Sequence, residues 1–404
     1  MNVSDFIARR YLFAKKSLGV INIISMISAA GIATGCAALV IILSIYNGFD
    51  SIVRGLNNSY TADILVEPAQ GKTLDASDPS FFKLNDDPRV KAVCSVIEEN
   101  VFIQYDDRHI VATAKGVDSL YTSVTGLCDY LTEGSFDLTF GDLNQMVLGR
   151  TIALQLGAST AFVTPLEVYF PSRSAKVDML DPLASLHKER LFPSGIVSLE
   201  QNFDQKYVFM PLSSLRRLLE YDTQASCLEI YLNAEGLNSR GFAKKDLLEE
   251  VKAGLGPDYV VKDKQQQNQM LYKLLLYEKI AIYLILLFVM VIISFNIFSS
   301  LSMLIIEKRQ DVEILRSMGA DDSLVRRIFV REGWLISLFG IAAGILIGLL
   351  VCWLQQRFGF VKMPGNFVVT AYPVVVKFTD VALVAAGVGL IGYMVSLLTK
   401  AQKM

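Results

Sequence analysis

The chain of 404 residues is 52% hydrophobic and 19% charged, with a mean hydropathy of +0.41, which is too apolar for an ordinary soluble protein and points to several membrane spans. A formal net charge of −2 and a pI of about 5.9 leave no basic field of the kind that nucleic acid demands. Five cysteines without a CxxC pair, and only two histidines (His109 and His187), argue against zinc and thiol-redox chemistry.

Residues 1–20 carry Arg9, Arg10, Lys15 and Lys16 and read as an amphipathic segment. The uncharged run 21–45 exceeds the roughly 20 residues that cross a bilayer. Its "ATGC", ending at Cys36, has the look of a lipoprotein cleavage site. The run continues to Ile45, however, and outlasts the roughly 7–15 residues of a signal core, so it is read as a span over 21–48. Gly31 and Gly35 form a GxxxG row that lets helix backbones approach closely.

Ile45, Phe49, Ile52, Val53 and Leu56 recur at helical spacing, and Met270, Leu271, Leu274 and Leu275 make a similar stripe before the second span. Both spans are expected to continue as amphipathic stalks, each about 15 Å long at ~1.5 Å per residue. Two readings stay open. The stripes pack against the domain between them, or Ile42, Tyr46, Phe49, Ile52, Val53, Leu271, Leu274 and Leu275 line an apolar substrate cavity.

Between the stalks, residues 49–270 (about 220 residues) suffice for one or two domains. Runs at 64–67, 101–105, 109–114, 166–170, 207–210 and 227–232 are rich in Val, Ile, Phe and Tyr and read as strands, and 149–156, 212–219 and 245–255 as helices. The expectation is an α+β domain. Cys94, Cys128 and Cys227 leave open one disulfide and one free thiol.

The second span, 271–306, holds Asn296 among Ser294, Ser299 and Ser300. A mid-span amide predicts an interhelical hydrogen bond worth about 1 kcal/mol. A charged segment, 307–332, follows, then a third span, 333–354, with Gly340, Gly344 and Gly348 in a row. Close packing inside one bundle is the expectation for both glycine rows. A loop (355–380), a fourth span (381–399) and residues 400–404 complete the order.

Lys and Arg in short flanks set orientation. They concentrate before span one, between spans two and three (Lys308, Arg309, Arg316, Arg326, Arg327, Arg331) and after span four (Lys400, Lys403). The loop between spans three and four has only Arg357, Lys362 and Lys377. Both termini and 307–332 are therefore expected in the cytoplasm, and 49–270 outside.

Placing Lys308 and Arg309 at the bilayer centre would cost ~5–7 kcal/mol, so the membrane boundary is expected at Glu307. Beyond it Val312, Ile314, Leu315 and Met318 make a short apolar face, Gly319 is a natural helix stop, and Asp321 or Asp322 can cap the next helix, over 323–332. The sharper reading is a docking helix for an ATPase, with Glu307, Lys308, Arg309, Val312, Glu313, Leu315, Arg316, Met318 and Gly319 as coupling residues. The blander reading is a solvated interfacial helix. No P-loop, no G-x-S-x-G elbow and no intramembrane acid–base chain is present. Hence no catalytic residue, no metal ligand and no cofactor is assigned to this chain.

The stretch "FNIFSSLSMLIIEKRQDVEILRSMGADDSLVRRIFVREGWLI" closely resembles the second span, coupling segment and start of the third span in FtsX-like ABC transporter permeases, best in the lipoprotein-releasing LolC/LolE group. "FIARRYLF", "INIISMISAAGIATGCAALVIILSIYNGF", "MVLGRTIALQLGAS" and "SGIVSLEQNFDQKYVFMPLSSLRRLL" resemble the same group in the expected order. The resemblance implies an α-helical polytopic protein of the bacterial (Gram-negative) inner membrane, with four transmembrane helices and a large α+β periplasmic domain between helices 1 and 2. It implies two copies of a separate cytoplasmic ATPase, which would hold ATP and Mg, and a second permease, identical or homologous. It further implies extraction of lipoproteins from the membrane lipid and delivery to a periplasmic chaperone. A hairpin of the family that recruits the chaperone matches 171–192 here, with Arg173, Lys176, His187 and Lys188 as contacts. The usual Gly-Asp after "LGAS" is missing, as is the P-A-x-x-A-type end common after span four, which leaves the permease role open. The alternatives are a regulatory module that relays ATPase motion to periplasmic cell-wall enzymes and a MacB-like efflux permease.

Overall fold

A computed structural model describes residues 20–161, 164–172, 186–233, 242–363 and 371–398. Helix α1 (Val20–Tyr60) is followed by strands β1 (Ile64–Pro68) and β2 (Leu74–Asp75), helix α2 (Pro79–Asn85), strands β3 (Val90–Tyr105) and β4 (Arg108–Val117), and helix α3 (Tyr121–Val124). Next come β5 (Leu131–Gly134), β6 (Thr139–Phe140), β7 (Leu143–Gly149), α4 (Arg150–Leu156), β8 (Leu166–Pro171), β9 (Leu186–Val197), α5 (Gln201–Asp204), β10 (Tyr207–Pro211) and α6 (Leu212–Leu219). Then follow β11 (Gln224–Ala225), β12 (Cys227–Leu232), α7 (Phe242–Leu255), β13 (Tyr259–Asp263), α8 (Lys264–Gln267), α9 (Gln269–Glu307), α10 (Arg309–Ser317), α11 (Asp322–Phe358) and α12 (Phe378–Leu398).

The chain divides into two compact units. A membrane unit takes the chain up to Ile52 and resumes at Lys273, and a sheet unit runs from Val53 to Tyr272. Among the described residues, α1, α9, α11 and α12 are the 4 helices long and apolar enough to cross a membrane. α1, α9 and α11 have 41, 39 and 37 residues. At ~1.5 Å per residue each is about 55–60 Å long, roughly twice the hydrocarbon thickness. They therefore extend well beyond the apolar runs that identify them in the sequence.

Lipid gives helices no hydrophobic reason to associate, so packing and small residues decide. The core of the membrane unit runs through Ile32, Cys36 and Leu39 of α1, Ile293, Ile297 and Leu301 of α9, Ile336 and Ile341 of α11, and Val384 and Val388 of α12. The segment before α12 is strapped to α1: the Val375 N–H donates to the Ser44 carbonyl at 2.9 Å, and the Asn47 amide donates to Asp380.

In the sheet unit an 11-stranded sheet runs β13-β1-β12-β3-β4-β10-β7-β9-β5, with β6 on β7 and β8 bridging β3 and β9. The pairings β3–β4, β4–β10, β10–β7, β7–β9, β9–β8 and β8–β3 return to their start, so six strands close a circuit. Inward positions such as Val101, Ile103, Met146, Leu148, Leu166, Val168, Leu191, Val208 and Met210 fill it. Tyr121, Phe136, Phe203, Phe209 and Tyr231 belong to a second core cluster of the sheet unit.

The strand-like runs at 64–67, 166–170, 207–210 and 227–232 and the helix over 212–219 form as read, within a residue at each end. Strands β8 and β9 pair as the two arms of a hairpin, in register from Leu166↔Leu191 to Pro171↔Leu186, and 173–185 of the stretch matched to the family's hairpin lie outside the described residues. All five cysteines are free thiols, so the open disulfide reading falls.

Candidate functional site

Helix α9 ends at Glu307 because Lys308 leaves helical geometry (φ −87°, ψ 13°) and becomes the N-cap of α10. The apolar helix and the charged one are thus separated at a single residue. Helix α10 ends as expected at Gly319, whose φ of +91° any side chain would resist. There the Ala320 N–H reaches back to the Leu315 carbonyl at 3.0 Å. Asp321 is the N-cap of α11, and its carboxylate accepts from the Ser323 hydroxyl at 2.8 Å. Past this cap α11 is one continuous helix that carries 323–332 directly into the third span.

A correction concerns which residues α10 presents. Val312 is only 8% exposed and packs in the membrane core with Val325 and Phe329 of α11. It anchors the helix and is not part of a gripped face. The apolar residues left outward are Ile314, 58% exposed, and Met318, 79% exposed, with Leu315 half-buried between them. Ion pairs surround them: Lys308 to Asp311 at 2.9 Å, Arg309 to Glu313 at 3.5 Å, and Arg316 to Asp322 at 2.6 Å. The last two pairs, exposed on both sides, are worth about 0–1 kcal/mol each, so they set orientation more than stability.

Glu332 of α11 is a buried group that the sequence reading left out. Its Oε2, like that of Glu307, has no hydrogen-bond partner among the described residues. The signal was present in the sequence, as an acid directly before a long apolar run.

The glycine rows find their partners inside this chain. A Cβ on Gly344 would lie 2.5 Å from the Ala33 carbonyl oxygen, and one on Gly340 2.7 Å from Ile32. Gly348 faces Val40 at 3.1 Å. On the other side of α1, Gly31 abuts the Asn296 amide and Gly35 abuts Ile293 of α9, each at 2.6 Å. Asn296 Oδ1 has no hydrogen-bond partner among the described residues, and the hydrogen bond between the same two helices is the one that Ser28 donates to Ser300.

The eight residues expected to line a cavity differ in exposure. Ile42, Tyr46, Phe49, Ile52, Val53 and Leu271 are half-buried, and Leu274 is 62% exposed. Leu275 is packed inside the chain, which corrects its assignment to an open mouth. Within the sheet unit the helix ends are joined by polar groups instead. The Asn268 amide donates to Asn57 Oδ1 at 2.6 Å, the Thr61 hydroxyl donates to the same oxygen at 3.1 Å, and the Arg54 guanidinium lies 5.6 Å from the Tyr272 ring centre.

Beside these ends lies a cleft of about 180 Å³ lined by Tyr60, Phe203, Tyr207, Glu98, Lys115 and Glu229. Lys115 is buried, 2.6 Å from Glu229 and 3.3 Å from Glu98. Burial works against its ammonium, but Glu229, with Tyr121, Glu98 and Cys227, holds its pKa well above the lysine value. The Tyr231 hydroxyl donates to the other oxygen of Glu229 at 2.6 Å, whereas the buried Tyr121 hydroxyl has no hydrogen-bond partner among the described residues.

On the β8–β9 hairpin, His187 Nε2 lies 2.6 Å from Glu220, and Lys188 sits 2.6 Å from Glu167 and 5.5 Å from the Tyr169 ring centre. Arg173 and Lys176 lie outside the described residues.

The MacB-like periplasmic core domain matches residues 25–245, and the FtsX-like permease C-terminal domain matches residues 283–402. The LolC lipoprotein-releasing system transmembrane protein of Xylella fastidiosa strain Temecula1 is 27% identical over 395 residues, 95% of this chain and 92% of that one. LolC of Neisseria meningitidis serogroup B is 27% identical over 87% of this chain and 82% of its own. LolE of Haemophilus influenzae is 24% identical over 87% of this chain and 82% of its own.

Proposed function

The chain belongs to the family built on the MacB-like periplasmic core domain, and we propose that it is the transmembrane subunit of an ATP-driven lipoprotein-releasing transporter. It has the lengthwise similarity to LolC and LolE proteins and lacks a nucleotide-binding loop of its own. In this reading the termini and α10 are cytoplasmic, the sheet unit is periplasmic, and the membrane is the inner one. Two copies of a separate ATPase, carrying ATP and Mg, dock on α10. A second permease, identical or homologous, completes the dimer, and a periplasmic chaperone receives the lipoprotein.

The observation that carries the proposal is α10 itself. It is a short helix anchored by Val312, with Ile314 and Met318 outward and a ring of charged residues around them. An exposed apolar pair inside a polar rim suits a protein partner. No chemistry is required of this chain. ATPase closure moves α10, and α9 and α11 carry the motion away from it, since both are continuous helices from that end.

The test is co-purification of the ATPase with the full chain, wild type and Met318→Asp. Loss of the ATPase from the variant is expected, together with lipoproteins retained in the inner membrane when the chain is depleted. Correctly sorted lipoproteins on depletion would favour the regulatory module, and drug sensitivity with normal sorting the efflux permease.

A further inference from the structure

Helices α11 and α12 pack antiparallel: Gly392 faces Ser337, Gly333 faces Ser396, and the Trp334 and Tyr393 rings meet at 6.0 Å. Such a pair needs a connection of only about 2–8 residues. This chain gives 359–377 to it. Of these, 371–377 do not turn straight back into α12 but lie on α1, held from both sides.

On the α1 side, the Val375 N–H donates to the Ser44 carbonyl at 2.9 Å, and the buried Asn47 amide donates to Asp380 at the start of α12. A Cβ on Gly48 would collide with the Pro373 carbonyl, so glycine admits the segment this close to the helix. Glycine weakens a helix interior, and at Gly48 the close contact is what it provides. On the α11 side, Gln356 donates to the Val374 carbonyl at 2.7 Å. Gln355 donates to the Val361 carbonyl at 2.9 Å and accepts from the Val361 N–H at 3.0 Å, while the Tyr372 N–H donates to that same carbonyl at 2.9 Å. An ordinary surface loop leaves its backbone to water. Here two glutamines of α11 and three consecutive turns' worth of polar contacts on α1 and α12 take it up instead.

We propose that 371–377 form a strap through which the outer end of α11 grips α1, making Asn47 and Asp380 positioning residues that pass a movement of α11 to the helix leading into β1. This rests on the reading that an ATPase docks on α10. Helix α11 is continuous from its cap at Asp321, next to α10, to Phe358, so a displacement begun at α10 arrives at Gln355 and Gln356. Helix α1 leaves the membrane unit at Ile52, one turn past Gly48, and runs on to Tyr60 directly before β1. The strap therefore holds α1 at its last turn inside the membrane unit, the point from which a shift is passed on along a rigid element.

Two measurements test it. The first is thermal unfolding of the purified full chain as Asn47→Asp, and as the exchange of Asn47→Asp with Asp380→Asn. The single change sets two carboxylates against each other and should lower the midpoint. The exchange keeps one amide and one carboxylate and should recover most of the loss. An exchange that unfolds as early as Asn47→Asp would overturn the grip. This arm needs no ATPase and so is independent of the functional reading. The second is lipoprotein release per ATP hydrolysed by the complex in nanodiscs. Asn47→Asp should keep the ATPase bound and turning over while release per ATP falls about fivefold or more, and the exchange should restore it. A merely structural role would lower turnover and release together and leave their ratio unchanged, and that result would overturn the proposal. Should Asn47→Asp fold poorly, Gln356→Met, which releases only the Val374 carbonyl, should lower the same ratio, and an unchanged ratio there overturns the proposal equally. If no ATPase accompanies even the wild type, the functional reading fails and the unfolding arm alone decides the grip.

Discussion

The side-chain amide of Asn268 donates to Oδ1 of Asn57 across 2.6 Å, joining the last turns of α1 to the start of α9 inside the sheet unit. Asn57 is buried, and its own Nδ2 has no hydrogen-bond partner among the described residues. Asn268→Ala leaves Asn57 dependent on Thr61 alone. A loss of about 1–2 kcal/mol is expected, measured as a lower midpoint in thermal unfolding of the full chain in detergent.

Gly344 and Gly55 should respond to alanine with opposite signs. At Gly344 the new methyl meets the Ala33 backbone at 2.5 Å, which only a shift of α1 against α11 can relieve. A penalty of about 1–3 kcal/mol is expected, seen as a lower unfolding midpoint and a smaller monodisperse fraction. At Gly55, on the same α1, nothing lies within 4 Å of the new Cβ. Alanine there should stabilise by about 0.5–1 kcal/mol through helix propensity.

Lys115→Met should be among the most damaging single changes in the sheet unit. It strands Glu229, buried and facing the hydroxyl of Tyr231, without its counter-ion. Removing one partner of a buried pair costs roughly 3–5 kcal/mol. Because the folded lysine lies above its ordinary 10.5, its contribution is complete below 10.5 and fades only as pH rises through the folded value. The penalty should therefore be flat from pH 6 to pH 9, and a penalty that shrinks on this interval would contradict the assignment.

Asp204 gives the contrasting case. Burial raises its carboxyl above 3.8, against the Leu199 N–H at 2.8 Å and the Ser198 hydroxyl at 2.9 Å, which hold it down. The folded state then binds a proton more readily than the unfolded one. The wild type should gain on Asp204→Asn as pH falls from above the folded value toward 3.8, with no further gain below. The check is the difference in unfolding midpoint between the two proteins across acidic pH.

The membrane helices were legible because nothing competes with a long apolar run, and β12 and α6 because their patterns are unmixed. β9 was not, because His187, Lys188, Glu189 and Arg190 stand along it beside Pro193 and Gly195. Those charges ride on a hairpin whose partner strand supplies Glu167, so pairing across strands overrides the local polarity. The glycine rows announced close packing, but not that α1 receives glycines from α11 while offering its own to α9. The break at Lys308 had no local mark. Val312 looked like one more apolar residue of a face, and only the tertiary packing separates the anchor from the exposed pair.

β1, which follows α1, pairs directly with β13, which precedes α9: Ile64 lies opposite Asp263, and Pro68 opposite Tyr259. The sheet unit thus leaves one long helix and returns to the other at adjacent points. An insert anchored in this way can be exchanged, enlarged or trimmed without altering the spacing of the helices that carry it.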